Sequence, residues 1–536
     1  MPLKDEIKQL IKGNVLDDDQ TLLTYSKDAS IFEIKPKLVV FPKDSEDIKS
    51  LVKFVLKNNL SITVRSAGTD MTGGAIGEDI ILDVGKYLNK LIKVDQESTI
   101  VQPGMLYRDF ETETLKQDLL LPTYPASREI CTVGGMVAAN AGGELELTYG
   151  PINKYLKSMR VILSDGNEYT FQALNQAQLN KKIAQSNFEG KIYSEIYNLI
   201  LENEELVKKA RPQTSKNSTG YDLWEVWDGK NFDLSKLIIG SQGTLGIITE
   251  AEFKLIKPKK NRILLVIFLS DLSKLDRIIN KVLEFKPEAF ECFDDQTYQL
   301  AIDHAWDIAA NFKHTNRISA FLNLKKDKAV KLTLLANFTS DDKDEALKKA
   351  SDCSNDLNQW NIKTNVLKSE KDQEKYWLIR HKSFGLLMRY AGKHMKASSF
   401  IDDIIVNPEY LPQFLPKLNE IIAPYKDKMV YTLAGHIGDG NFHIIPLMDL
   451  SKADVRSIIP ELMEKVFKLV FEYKGSMSAE HNDGLIRGPY LPQMYGNDIY
   501  QLFKKVKEIF DPKNIFNPHK KADATCQYSL AHMIKN

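Results

Sequence analysis

Cys131-Thr-Val-Gly-Gly-Met-Val-Ala-Ala-Asn-Ala-Gly-Gly143 has small residues at most positions. Side chains this small let a backbone lie flat against a planar ligand and donate hydrogen bonds to it. They serve equally for close packing of helices and strands, and one such stretch alone favours packing. Two others flank it. Upstream, Arg65-Ser-Ala-Gly-Thr-Asp-Met-Thr-Gly-Gly-Ala75 sits between two strand-like runs. The N–H groups of a tight glycine loop of this kind are able to converge on phosphate oxygens. Downstream, Ile239-Gly-Ser-Gln-Gly-Thr-Leu-Gly-Ile-Ile-Thr249 repeats the texture. Three stretches between Arg65 and Thr249 shift the balance toward a large cofactor. No Lys-Ser/Thr follows the second glycine of the upstream loop, so it is no nucleoside-triphosphate loop. A strand rather than a helix follows it, which disfavours a Rossmann fingerprint.

The surrounding sequence supplies the frame. Leu38-Val-Val-Phe41, bounded by Pro36 and Pro42, reads as a strand. Asp44 is placed to cap a helix carrying Ile48, Leu51, Val52, Val55 and Leu56 at helical spacing. Ser61 to Arg65 then forms the second strand of a βαβ unit, and Ile80-Ile-Leu82 another strand. Met159–Leu163 and Glu168–Phe171 flank Ser-Asp-Gly-Asn, a hairpin signal. The texture changes at Lys257-Pro-Lys-Lys260, where a domain boundary is expected. Beyond it lie a strand at Ile263–Leu269 and a helix from about Pro460 to Lys474 stopped by Gly475. Phe510-Asp-Pro-Lys-Asn-Ile-Phe-Asn-Pro518 reads as an extended C-terminal segment.

Composition narrows the function. In 536 residues, 72 Lys+Arg balance 72 Asp+Glu, leaving no basic footprint for nucleic acid. With 43% hydrophobic and 27% charged residues the chain is globular rather than disordered. No run approaches the ~18 apolar residues of a spanning helix, and the charged start Met-Pro-Leu-Lys-Asp-Glu lacks a signal-peptide core. Four cysteines (Cys131, Cys292, Cys353 and Cys526) form no C-x-x-C pair, which argues against disulfide scaffolds, zinc ribbons and cysteine-ligated clusters. A cytoplasmic enzyme is expected, and zero net charge gives no support to peripheral membrane contact.

Gly435-His436-Ile-Gly-Asp-Gly-Asn-Phe-His443 has its own geometry. If Gly-Asp-Gly-Asn is a four-residue hairpin loop, Ile437 pairs with Phe442 and His436 with His443. Opposed residues project from one face ~5 Å apart at Cβ, close enough for two imidazoles to share a metal with bonds of about 2.1 Å for zinc. The plain alternative is two structural histidines beside a turn. Ser478-Ala-Glu480-His481 offers a third ligand, provided a loop turns both Glu480 and His481 toward one cavity.

Taken together, Val133–Gly143, Gly220-Tyr-Asp-Leu223 and Gly240-Ser-Gln-Gly-Thr-Leu-Gly-Ile247 resemble the vanillyl-alcohol-oxidase/p-cresol-methylhydroxylase (PCMH) superfamily. Within it the chain is most similar to the FAD-linked D-2-hydroxyacid dehydrogenases of the D-lactate, glycolate and D-2-hydroxyglutarate branch, over nearly its whole length. The resemblance implies an α+β architecture: a two-part PCMH-type FAD-binding domain plus a cap domain of antiparallel sheet and helices. The expected divisions are an N-terminal helical segment (1–30), the FAD domain (31–258), the cap (259–505) and a segment (506–536) returning to the FAD domain. FAD would be held noncovalently, with its pyrophosphate on the backbone of Ser66, Ala67, Gly68, Thr69 and Asp70, beside Arg65. Its ring would run along Gly134, Gly135, Asn140 and Ile247, with Gly142, Gly240, Gly243 and Asn517 also in the cofactor set. Ser66 replaces a usual glycine, which a negative φ permits. Tyr124 stands where many relatives carry an acidic residue, and no role passes to it.

The same resemblance makes His436, His443 and Glu480 ligands of a divalent metal, usually zinc, with iron or manganese as alternatives, and His481 the base. Asn482 stands where the family commonly has glycine. Asparagine is the best non-glycine residue for a left-handed position. Trp377-Leu-Ile-Arg380-His-Lys-Ser-Phe384 resembles the segment whose arginine clamps the substrate carboxylate, a task suited to a permanently charged fork. Phe384, Ile401 and Ile445 stand where a second carboxylate would need polar groups. The substitutions favour a small monocarboxylate such as D-lactate, with Lys393 or Lys396 able to compensate. The implied reaction is hydride transfer from a D-2-hydroxy acid to FAD. Electrons would pass to a non-NAD acceptor: a quinone, a cytochrome, an electron-transfer flavoprotein or a separate iron–sulfur protein. The iron–sulfur extension of some larger relatives is not expected here. A homodimer is admitted. Three alternatives remain: an oxidase or glycolate-oxidase type, a D-2-hydroxyglutarate dehydrogenase, and a non-catalytic flavin electron-transfer subunit.

Overall fold

The computed structural model describes residues 1–303, 330–390 and 395–535, with side chains throughout except in 300–303 and 382–390. Its architecture is α+β, built on three principal sheets. The first contains β1 (Asn14–Leu16), β2 (Leu38–Phe41), β3 (Ile62–Arg65) and β4 (Ile80–Asp83) in the order β1-β2-β4-β3. Asp44 caps α1 (Ser45–Asn58), its carboxylate accepting the Asp47 N–H. Ile48, Leu51, Val52 and Val55 are buried against β2 and β4. β2 and β3 form the βαβ unit, yet β4 lies between them and pairs in parallel with both. The first thirty residues are not merely helical: between helices Leu3–Leu10 and Asp19–Tyr25, β1 adds an antiparallel edge to β2. A three-residue strand is too short to carry a periodic signal in sequence.

The second sheet is antiparallel: β5 (Leu91–Val94), β6 (Ser98–Val101), β7 (Leu156–Ile162), β8 (Glu168–Gln172) and β9 (Ile247–Lys254), ordered β5-β6-β9-β7-β8. The Ser-Asp-Gly-Asn hairpin sets Met159 opposite Phe171, both buried. The seven-stranded third sheet contains β10 (Asn261–Leu269), β11 (Ala289–Asp294), β12 (Leu332–Ser340), β13 (Lys363–Leu367), β14 (Ile404–Ile405), β15 (Leu433–His436) and β16 (Asn441–Ile444). Its order is β13-β10-β12-β11-β15-β16-β14. One face of β10–β12 carries Leu264, Val266, Phe293 and Leu335, which pack with Tyr376 and Ile379 of the helix Glu370–Tyr390.

The helix expected before Gly475 spans Ile458–Glu472. The left-handed residue that ends it is Lys474, φ 53°. Gly475 is needed for space, since a Cβ there would lie 2.3 Å from Ile405 O. A further helix, Asn497–Phe510, runs across the expected division at 505/506. After it the chain returns to the first sheet, where Ile62 N–H donates to Ile515 O (2.7 Å) and Asn517 N–H to Ile62 O (2.9 Å).

Candidate active site

One cavity of about 740 Å³ opens between the first two sheets and the third. Arg65, Ser66, Ala67, Gly68, Thr69, Asp70, Gly134, Gly135 and Gly243 line one part of it. The upstream glycine loop is shaped from within: Asp70 accepts from Thr72 N (2.7 Å), Thr72 Oγ1 (2.8 Å) and Gly74 N (2.9 Å). Its carboxylate is thus spent on the turn, leaving backbone for a ligand. Ser66 has no positive φ, and its hydroxyl meets Thr132 Oγ1 at 2.6 Å. The central stretch forms a short helix, Val133–Ala139, capped by Thr132. Gly134 in it serves packing, because a Cβ would lie 2.3 Å from Pro103 Cβ, while Gly135 is exposed to the cavity.

Asn140, Gly142, Gly240, Ile247 and Asn517 stand outside that wall. Ile247 points into the α/β core, whereas its neighbours Gly246 and Ile248 line the cavity. Successive strand residues face opposite ways, so Gly246 and Ile248, not Ile247, face the cavity here. Asn140 (φ 51°) and Gly240 (φ 71°) form the turn behind the helix, with Gly240 N–H donating to Val137 O. Gly142 has no room for a side chain, its Cβ falling 1.6 Å from Glu146 Oε2. Asn517 braces the loops, donating to Gly74 O and Gln242 O, both 2.8 Å, and accepting from Thr63 Oγ1.

His436, His443, Glu480, His481 and Arg380 line the other part of the same cavity. The hairpin register differs from expectation: His436 pairs with Asn441 and His443 with Ala434, around the loop Ile437–Gly440. The displacement is by two residues, so parity is kept and both rings stay on one face, as diagonal neighbours with centroids 5.2 Å apart. Gly440 (φ 75°) forces the earlier turn; a Cβ there would lie 2.0 Å from Val406 O. Glu480 and His481 do share the cavity from a loop. Asp403 holds that loop, accepting from Ser478 Oγ, Glu480 N and His481 N at 2.6, 2.9 and 2.8 Å. Asn482 adopts φ 67° and donates to Ala139 O and Gly240 O, joining the loop to the glycine-rich wall.

Besides Asp403, three buried groups absent from the expected set, Glu291, Asp402 and Lys216, contact these side chains, and the half-buried Glu144 meets the neighbouring His381. Glu291 on β11 receives His436 Nδ1 (2.6 Å) on one oxygen and Arg380 Nε (3.0 Å) on the other. Asp402 faces His443 Nδ1 at 3.3 Å and His481 Nδ1 at 2.9 Å. Lys216 donates to Glu480 Oε1 at 2.6 Å, with Glu146 at 3.4 Å and Asp439 at 3.6 Å. Glu144 meets His381 Nε2 at 2.8 Å. Their sequence signals are faint: a lone acid in the apolar run Ala289–Phe293, and an acidic pair between Phe400-Ile401 and Ile404-Ile405. Ile445 lines the cavity, whereas Ile401 is in the core; the Phe384 side chain and Lys393 lie outside the described residues.

Burial disfavours charge on His436, but Glu291 and Glu480 outweigh it and raise its pKa to about 9. His481 is raised to about 9 in the same way by Asp403 and Asp402. Burial lowers His443. The donors suit a divalent cation: Glu480 Oε1 lies 3.0 Å from His436 Nε2, and each ring turns Nδ1 to a carboxylate, the arrangement that orients imidazole ligands. The ligand atoms of His443, Glu480, His481 and Asp403 also lie within 4.8 Å of one another. Asp403, saturated by the loop, is the poorest donor of that group. His436 is not a member of that group; it meets Glu480 through Nε2.

The model of an FAD binding domain matches residues 36–172, and that of the FAD linked oxidases, C-terminal domain, matches residues 258–521. The chain belongs to the FAD-linked oxidases. The small-residue wall described above thus falls largely in the flavin-binding part of this family, and the histidine hairpin in its C-terminal part. A D-lactate dehydrogenase from Anaerostipes hadrus is 26% identical over 96% of this chain and 94% of its own. A D-2-hydroxyglutarate dehydrogenase from Escherichia coli (strain K12) is 26% identical over 93% of this chain, which spans only 49% of that longer protein. Among solved structures, p-cresol methylhydroxylase superposes with a TM-score of 0.70 at 14% identity, covering 98% of this chain and 96% of its own. The fold is therefore of the PCMH type. Among the described residues no helix is long and apolar enough to cross a membrane.

Proposed function

We propose that this FAD-linked oxidase family member oxidises a D-2-hydroxy acid with a short apolar side chain, D-lactate first, to the 2-oxo acid. One observation carries the reading: His436, His443, Glu480, His481 and Arg380 share a single cavity with the glycine-rich wall. A pure electron carrier has no use for such a set. FAD, along Ser66–Asp70, Gly134-Gly135 and Gly243, supplies the hydride acceptor, and a divalent cation on His436, His443 and Glu480, zinc first, supplies Lewis acidity at the substrate hydroxyl. Arg380 anchors the substrate carboxylate and so aims Cα–H. His481 accepts the hydroxyl proton at Nε2, its Nδ1 being turned to Asp402. Asp403 and Asp402 raise the pKa of this ring to about 9, and positive charge held beside it on Glu480 would lower it toward the range a base needs.

Ile445, Ala434 and Thr432 line the same cavity as Arg380 and His381, and a distal carboxylate meeting the apolar members of that group is costly. The names of the D-2-hydroxyglutarate dehydrogenases among the relatives support a second reading with a dicarboxylic substrate. Electrons leave to a quinone, a cytochrome, an electron-transfer flavoprotein or an iron–sulfur protein. A dye-coupled assay over D- and L-2-hydroxy acids of increasing length, before and after chelation and alongside oxygen consumption, separates the readings. Flavin that no 2-hydroxy acid bleaches anaerobically would end the proposal.

A further inference from the structure

Asp402 precedes β14 and is completely buried. Its Oδ1 faces His443 Nδ1 at 3.3 Å and its Oδ2 faces His481 Nδ1 at 2.9 Å. The two rings stack above it with centroids 5.1 Å apart. Among the described residues no other group hydrogen-bonds either oxygen, and the two Nδ1 contacts are ion-pair distances rather than well-aligned hydrogen bonds. A carboxylate removed from water without partners is strongly unfavourable, so its one evident task is to face these two imidazoles.

The backbone does not need that carboxylate. Arg487 Nη2 donates to Asp402 O at 2.6 Å, and Arg487 Nη1 to Asn482 O at 2.9 Å, tying the segment to the catalytic loop. The adjacent Asp403 already shapes that loop through three hydrogen bonds. The neighbouring acids thus divide the work, one holding the chain and the other the rings.

We propose that Asp402 is a positioning residue that fixes His443 and His481 in the same tautomer, proton on Nδ1, so that both turn an unprotonated Nε2 to the cavity. On the reading of function above, one Nε2 then ligates the cation and the other receives the substrate proton. A single anion with two oxygens is the smallest device that sets both. Asparagine of equal size accepts from one ring but must donate to the other, forcing that ring into the opposite tautomer with a proton on its working nitrogen.

The test uses the flavin-loaded full chain and its Asp402→Asn variant. Zinc affinity is measured by chelator competition, and anaerobic flavin bleaching by D-lactate is followed at saturating zinc. The variant is expected to keep its FAD content. It loses about 10–100-fold in zinc affinity if His443 is the ring that flips. It loses a similar factor in bleaching rate at full zinc occupancy if His481 flips. Zinc affinity and bleaching both within twofold of wild type would overturn the inference. So would lower FAD content with zinc affinity per folded molecule intact, the outcome of a merely structural role. Should the Asn variant not fold, Asp402→Ser carries the same two measurements. Wild-type protein that neither binds zinc nor is bleached by any 2-hydroxy acid removes the functional reading itself, and this inference with it.

Discussion

Gly435 lies between Ala434 and His436 on β15, and its φ is outside the left-handed region, so alanine is conformationally acceptable there and only space opposes it. An added Cβ would lie 2.2 Å from Asn441 O, 2.9 Å from Phe442 Cα and 3.1 Å from Asn441 C. All three atoms are backbone of β16 and cannot swing aside like a side chain. Restoring ordinary contact requires β16 to retreat by about 1 Å, and overpacking of this kind destabilises by about 1–3 kcal/mol. The retreat carries His443 away from His436 and Glu480. A 1 Å misplacement is worth about 10²-fold in rate, or about 2.7 kcal/mol of barrier. Gly435→Ala should therefore keep its flavin, whose cradle lies in other sheets, while zinc binding and substrate-driven bleaching weaken by about two orders of magnitude. The absorbance ratio of flavin to protein, chelator competition and stopped-flow bleaching read the three quantities. Wild-type bleaching by the alanine variant would refute the claim that hairpin spacing sets the site.

Arg380→Lys keeps the charge but replaces a fork whose Nε and Nη2 both reach Glu291 Oε2; loss of hydrogen bonds to charged groups at about 1.5–3 kcal/mol should raise KM for the acid about 10–100-fold in steady-state assays. Complete chelation should abolish bleaching by the 2-hydroxy acid while leaving the oxidised flavin spectrum in place; turnover that persists without metal contradicts the ligand assignment. Burial raises the Glu144 pKa, but His381, Arg262 and Arg128 outweigh it and draw the group down to about 2. Its folded value is below the unfolded one, so its stabilisation is present above about pH 4.5 and is lost as pH falls toward 2. Glu144→Gln should then be less stable than wild type at pH 5, the two converging near pH 2 in acid denaturation monitored by tryptophan fluorescence.

The strands around the glycine loops were readable because apolar runs, Asp44 and the flanking prolines all point the same way, and local chemistry fixes such elements. Position within a sheet was not. β4 entering between β2 and β3 depends on pairing that no local pattern encodes. The same limit explains Ile247: alternation is visible in the sequence, but its phase relative to the cavity is set by the sheet's neighbours. The histidine hairpin came through a wrong register because two residues is a whole period of a strand, so the face survived when the pairing did not. Glu291, Asp402 and Lys216 stayed hidden for a different reason. An isolated acid or base of this kind has no spacing to be recognised by, and its meaning appears only when another strand or loop, forty or more residues away, brings the partner.

Asn517 joins Thr63, Gly74 and Gln242 by hydrogen bonds, so the flavin cradle assembled by the first half of the chain is fastened by a residue near residue 520. During translation the early sheets emerge with that fastening still inside the ribosome. Tight capture of the dinucleotide is then expected only once this later segment has been made, so cofactor loading follows synthesis of the second half of the fold.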